Sequence, residues 1–214
     1  RPPAPALRAE LRDRCGVELG RADADRAIAA EIAYYRAHHL EGRDRAAVAD
    51  LRRRCADVLL AALPAEAAAR IGPAGALVAL LAALRFRPYP DAARALDALR
   101  ARWIRLVVVS NWDYSLHDVL AATGLGSRVH GIVTSAELGV AKPSPAIFAH
   151  ALGLAGVPAE LAMHVGDSVE DDVAGARAAG IEAVLLRRDG AGPSPPPRGV
   201  RTIRSLRELP ALAP

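Results

Sequence analysis

Asparagine and lysine occur once each in the 214-residue chain, at Asn111 and Lys142. The basic side is otherwise 27 arginines. In a chain whose bias disfavours lysine, the survivor marks a position that needs an ammonium. That group is a compact point charge, and the planar guanidinium fork does not replace it. Asn111 follows the hydroxyl of Ser110, and farther along Gly166-Asp167-Ser168 leads into Glu170-Asp171-Asp172. Several acids around one loop repel each other unless a cation or Lys142 neutralises them. Oxygen ligands with open positions suit Mg²⁺, which keeps several waters and takes one or two carboxylates plus substrate phosphate. A hydroxyl, an amide, an ammonium and a metal-binding carboxylate cluster together form a set for phosphoryl transfer, in which donors and cations meet the charge on the transferring oxygens. Each piece alone is commonplace: a Ser-Asn turn or cap, a Gly-Asp-Ser helix cap, a Lys-Pro helix start.

These residues meet only if strands of one sheet carry them. Residues 106–109 form a short β-branched run of the kind buried on both faces of a parallel sheet. A helix over 91–103 precedes it. Helix 115–122, strand 131–134, helix 145–152, strand 162–165, helix 170–179 and strand 183–186 then alternate, which implies βαβ units and a parallel sheet. Ligands of such sheets sit outside the carboxyl ends of the strands, where Ser110, Asn111, Lys142 and Asp167 fall. Residues 4–85 read as helices only, with apolar positions at helical spacing over 6–15, 27–37 and 47–63. The Gly/Pro-rich stretch Gly190–Gly199 reads as a surface loop, followed by a short helix near 205–209. The expected division is a helical module over 1–85 and an α/β unit over 86–214.

Composition excludes several classes. At 52% hydrophobic and 24% charged, the chain is neither disordered nor fibrous. The net charge is +4, but the arginines are scattered through helices and only Arg52-Arg53-Arg54 forms a run. Aromatics, at 4%, do not interleave with that run, so no nucleic-acid footprint is expected. The longest apolar run, residues 71–84, is about 14 residues against the roughly 20 that span a bilayer, and no membrane partner is expected. Cys15 and Cys55 show no metal-ligand spacing and read as free thiols of a reducing cytoplasm. His38, His39, Tyr34 and Tyr35 read as packing or surface residues of a helix, and His164 as a packed core histidine.

Residues 107–113, 137–148 and 164–180 together resemble motifs II, III and IV of the haloacid dehalogenase superfamily of hydrolases. The stretch Arg87-Pro88-Tyr89-Pro90-Asp91 resembles the return from cap to core, with residues 5–85 standing where a small helical cap would be. The resemblance implies an α/β fold with a Rossmann-like parallel sheet and an all-helical cap that closes over the site. It implies that Ser110 hydrogen-bonds the transferring phosphoryl group, with Asn111 beside it, and that Lys142 balances the charge of phosphate and nucleophile. Asp167 would hold Mg²⁺ directly. Asp172, in register with Gly175-Ala176, would support the metal through its waters, with Asp171 the less favoured substitute. The implied activity is that of a cytoplasmic, Mg²⁺-dependent phosphatase acting on a small phosphorylated metabolite through an aspartyl-phosphate.

The sequence departs from the family pattern at its start. The family nucleophile is an Asp after an N-terminal strand, and no such strand is readable; Asp23-Ala24-Asp25 has the spacing but lies in a helical stretch. That strand would be the central one of the sheet. Without it a gap of about 10 Å separates the strands ending at Ser110 and Val165, at a spacing of about 4.8 Å per strand. The chain begins at Arg1 and its one methionine is Met163, so a processed chain or one lacking its first residues is expected, inactive as written by the family mechanism. Trp103 stands where a helix-ending glycine is usual and is expected to pack on the helical module. Alternative functions are a metal-free 2-haloacid dehalogenase and a non-catalytic relative that binds a ligand or protein. A phosphorelay receiver fits less well, because its Asp pair would precede its Lys.

Overall fold

Apolar residues recurring every three to four positions give the first 86 residues four helices: α1 (Ala4–Cys15), α2 (Arg21–His38), α3 (Arg45–Ala61) and α4 (Ala65–Ala83). The computed structural model describes residues 3–188 and 196–212, and the chain divides into two units, residues 1–86 and 87–214. In the first unit Leu7, Leu11, Ala24, Ala27, Ile28, Leu51, Leu59, Ala76 and Leu80 bury one core. Asp44 starts α3 by accepting a hydrogen bond from the Ala47 N–H at 2.9 Å. Glu31 continues the buried stripe of α2 as an acid, and burial pushes its carboxyl up, against a hydrogen bond from the Cys55 thiol. Helix α4 bends at Gly72, where φ is 64°, just before Pro73. The apolar run read as too short for a bilayer thus belongs to a 19-residue helix, long and apolar enough to cross a membrane by length and composition. Its residues Ile71, Ala76, Ala79, Leu80 and Ala83 are buried within the unit.

The second unit alternates strands and helices: α5 (Ala92–Ala101), β1 (Val107–Ser110), α6 (Leu116–Ala122), β2 (Gly131–Thr134), α7 (Ser135–Leu138), α8 (Pro145–Ala155) and β3 (Met163–Gly166). A π-turn over Val169–Ala174 then leads into α9 (Gly175–Ala178), β4 (Glu182–Leu186), β5 (Arg201–Ile203) and α10 (Leu209–Leu212). The π-turn replaces the first half of the helix expected over 170–179, and β5 was not expected. The stretch Gly190–Gly199 lies largely outside the described residues.

All pairings are parallel, but they form two sheets rather than one. Strand β1 pairs with β2 in the register Ser110 to Thr134, and β3 pairs with β4, which pairs with β5. Among the described residues no ladder joins β1 to β3. The sheets share packing instead: Phe148 and Ile147 of α8 and Ala176 of α9 gather Val107, Val109, Val133, Ala183 and Leu185 into one core. On the other side Leu99 of α5 packs with Leu106, Met163, Val165, Val184 and Ile203.

Asp91, just before α5, ties the ends of this unit together. Its Oδ2 accepts from Arg188 Nη1 at 2.8 Å, Ser205 Oγ at 2.8 Å and the Leu206 N–H at 2.9 Å. Arg188 also lies over the Tyr89 ring, 3.8 Å from its centre. The Arg188 guanidinium and the two further donors hold the Asp91 carboxyl well below its usual range, against the opposing effect of burial.

Helix α5 ends in a Schellman turn, with the Ile104 N–H donating to the Leu99 carbonyl at 3.2 Å and the Trp103 N–H to the Arg100 carbonyl at 2.9 Å. The left-handed residue of that turn is Trp103, at φ 63°, the one described non-glycine residue with positive φ. Trp103 is 94% exposed. A left-handed residue with a Cβ costs about 1–2 kcal/mol.

Two outcomes follow for stability. Asp91→Asn costs about 2 kcal/mol at pH 7, the scale of hydrogen bonds to a charged group. A lowered folded-state pKa stabilises above the unfolded value of 3.8 and is lost as pH falls through the folded one. The gap between wild type and Asp91→Asn in urea unfolding therefore narrows from pH 7 to pH 3. Trp103→Gly relieves the left-handed turn and raises stability by about 1 kcal/mol, read as a higher urea midpoint.

Candidate active site

Strand β1 delivers Ser110 to its carboxyl end, and the register places Thr134 of β2 beside it. The Ser110 hydroxyl makes no hydrogen bond among the described residues. Beyond it the loops after β1 and β2 are bound to each other. The Trp112 N–H donates to Ser135 Oγ at 3.0 Å, and the Ala136 N–H donates to the Trp112 carbonyl at 3.2 Å. Glu137 Oε2 accepts from Thr134 Oγ1 at 2.7 Å and lies 2.7 Å from His117 Nε2.

Asn111 and Lys142 are direct partners. Asn111 Nδ2 donates to the Lys142 carbonyl at 3.0 Å, and the Lys142 N–H donates back to Asn111 Oδ1 at 2.7 Å. The lone asparagine therefore fixes the main chain of the lone lysine. A shorter side chain would not reach, and a charged one could not offer both a donor and an acceptor. The Lys142 ammonium is in turn held by the Val109 carbonyl at 3.2 Å and by Asp172 Oδ1 at 2.6 Å. These two contacts use two of its three N–H groups.

Asp172, like Asp91, has three hydrogen-bond partners. Its side chain is 4% exposed, Oδ1 also lies 2.9 Å from His164 Nε2, and Oδ2 accepts the Ser168 N–H at 3.0 Å. Burial alone would push its pKa up; His164, Lys142 and the Ser168 N–H outweigh it and hold the carboxyl well below the usual range. Gly166 makes the room, because a Cβ there would lie 2.0 Å from Asp172 Cγ. His164 and Gly166 are two residues apart on β3 and so face the same side, which brings the imidazole to the same carboxylate. His164 is packed, edge-on to Phe148 at 5.0 Å, but its nitrogen is a member of the site that sequence reasoning missed. The period-2 match with Gly166 was the available signal.

Asp167 follows β3, is exposed, and makes no hydrogen bond or ion pair among the described residues. Asp171 lies in the π-turn, its N–H donating to Ser168 Oγ at 3.0 Å. Among the described residues no three His, Cys, Asp or Glu side chains gather as a closed metal cage. The donor set fits an open oxygen site, with one unbonded carboxylate, Asp167, and one lone pair left on Asp172 Oδ2. That suits Mg²⁺, which completes its shell with water and phosphate oxygens. Ser110, Asn111, Lys142 and Asp172 thus belong to one bonded or adjoining group, with Asp167 at the neighbouring strand end.

Comparison with known proteins gives the family. The haloacid dehalogenase-like hydrolase family matches residues 4–180. The chain is 40% identical over 126 residues to haloacid dehalogenase-like hydrolase domain-containing protein 3 of Danio rerio, covering 58% of this chain and 51% of that protein. It is 39% identical over 127 residues to a plasmid-encoded phosphoglycolate phosphatase of Cupriavidus necator, covering 58% and 54%. The chain spans about half the length of these curated relatives. Among solved structures, the putative hydrolase YfnB of Bacillus subtilis, bound to magnesium, superposes with a TM-score of 0.67 at 21% identity, covering 98% of this chain and 90% of that one. A 2-haloacid dehalogenase of Pseudomonas syringae gives 0.65 at 24%, covering 99% and 90%. On the family match and the strand-end geometry together, the chain belongs to the haloacid dehalogenase-like hydrolases.

Proposed function

We propose that this chain carries most of the active site of a Mg²⁺-dependent phosphatase for a small phosphorylated metabolite. The observation that supports this best is the Lys142 ammonium, held between the Val109 carbonyl and Asp172 at the strand end that also carries the unbonded Ser110 hydroxyl. In this reading Ser110 Oγ–H and the remaining Lys142 N–H donate to phosphoryl oxygens. Asn111 acts through the Lys142 main chain, and Asp172 and His164 fix where the ammonium stands. Asp167 holds the metal directly, and Asp172 supports it through water. Bound Mg²⁺ would neutralise charge on the phosphoryl oxygens as it passes to an aspartate carboxylate and then to water. That nucleophile is not one of the residues assigned here; Asp23 and Asp25 lie within α2.

Residues 1–86 would serve as the substrate-selecting cap. Relatives named as phosphatases of phosphoserine, phosphoglycolate and glyceraldehyde 3-phosphate point to small phosphomonoesters. The free thiols Cys15 and Cys55 suit a reducing cytoplasm. One observation favours a second reading, a metal-free 2-haloacid dehalogenase: three donors already occupy Asp172, so of the two acids assigned to the metal only Asp167 is unbonded.

The deciding assay follows phosphate release by the native protein from a panel of small phosphomonoesters, with Mg²⁺ and with EDTA. Release that needs Mg²⁺ is expected. Lys142→Met and Asp167→Asn should each lower kcat by about 100-fold or more, the scale of removing one charge-stabilising group. Chloride release from 2-chloropropionate that persists in EDTA would establish the dehalogenase reading instead. Neither product would leave the chain as a binding relative.

A further inference from the structure

Five helices of this chain end through a left-handed glycine: Gly16, Gly124, Gly139, Gly156 and Gly180, at φ 63–75°. Helix α5 makes the same kind of turn with Trp103, the bulkiest residue available, and leaves the ring almost wholly in solvent. Neither backbone conformation nor core packing accounts for a tryptophan there. Its surroundings do suggest a use. An open concavity of about 350 Å³ is lined by Arg100, Trp103, Ile104, Arg105 and His130. Arg105 leads into β1 and His130 immediately precedes β2, whereas Ser110 and Thr134 close those strands. The concavity therefore lies at the opposite end of this sheet from the candidate active site.

Every charged or hydrogen-bonding side chain that lines it is a donor. The Arg105 guanidinium is exposed and makes no hydrogen bond or ion pair among the described residues. Arg100 donates through Nη1 to the Ser127 carbonyl at 2.6 Å and keeps its other N–H groups. His130 Nδ1 accepts the Leu106 N–H at 3.0 Å, so the imidazole proton is on Nε2, a further donor. No carboxylate lines the wall. Tryptophan and arginine are the side chains that most often anchor protein interfaces, and this wall asks for carboxylates beside an apolar group. A second copy of the chain would bring the same cations to the same place and be repelled. A single aromatic offers no run of stacking platforms for a nucleic-acid strand. Trp103 and Ile104 alone give little apolar area to insert in a bilayer.

We propose that this concavity docks an acidic peptide segment of a partner protein. An apolar side chain of the segment lies on the Trp103 indole, and its carboxylates meet Arg105, Arg100 and His130.

Trp103 and Trp112 are the only tryptophans, so two indole N–H signals report separately in a heteronuclear NMR titration of the whole chain. The probe is a short peptide alternating glutamate and leucine, with the lysine–leucine counterpart as control. A saturable shift of the Trp103 signal by the acidic peptide only is expected, with Trp112 unmoved. Affinity should fall about tenfold in Trp103→Gly and about fivefold in Arg105→Gln, the range for anchoring interface residues. It should also weaken as salt rises and screens the pairing. Because Trp103→Gly relieves a strained turn, its loss of binding should come with an undiminished thermal midpoint. The proposal fails if the Trp103 signal stays still at about 1 mM peptide, well above the Kd a specific site would show. It also fails if Trp103→Gly binds as well as wild type, or if an oligonucleotide or phosphatidylserine vesicles move the signal at lower concentration than the peptide.

Discussion

A carboxylate withdrawn from water stays ionised only if donors surround it, and the α/β unit is arranged around one that does. Asp172 collects an ammonium from Lys142 and, from β3 and the turn after it, an imidazole and a backbone N–H. Such a pair is weak evidence of stability, because an apolar replacement of similar volume is often as stable. Removing one partner is a different matter, at about 3–5 kcal/mol, since it strands a buried charge. The arrangement makes sense as a way to hold an ammonium at a defined point. Lys142 is thereby fixed twice, at its main chain by Asn111 and at its tip by Asp172 and the Val109 carbonyl. A long flexible side chain that would otherwise sample many rotamers is pre-ordered before any substrate arrives.

The same contacts bridge a break in the backbone ladder. Strands β1 and β3 have no hydrogen bonds to each other, yet Lys142 binds a carbonyl of β1 and a carboxylate seated on β3. Around this link the packing is tight. Gly175 leaves no space for a side chain, since a Cβ would lie 2.6 Å from the Phe148 ring, and Phe148 in turn meets the His164 edge. The π-turn contributes as well: the Ser168 carbonyl accepts both the Asp172 and Val173 N–H groups at 3.1 Å, and that widened turn sets Asp172 over Gly166.

Much of this was legible in the residues. The β-branched run near 106–109 and the strand at Gly131–Thr134 followed from local pattern, and the unique Asn111 and Lys142 led to each other. The misses have physical reasons. Strand β5 is three residues whose pairing depends on β4, so no local period announces it. The π-turn depends on how Ser168 is shared between two donors, which helical periodicity does not encode. His164 read as a core residue because it is one; its second role needed the position of Asp172.

The lone lysine has a consequence for how the protein can be handled and tagged. Its ammonium is the single side-chain amine of the chain, 11% exposed and held by two acceptors. Amine-reactive dyes, cross-linkers and resins find no exposed side-chain target on it, and isopeptide conjugation at lysine has no accessible acceptor in this chain. Coupling that succeeds at a side chain reports an opened site rather than a decorated surface. The rate of acylation at Lys142 is therefore a direct gauge of how often the strand ends part.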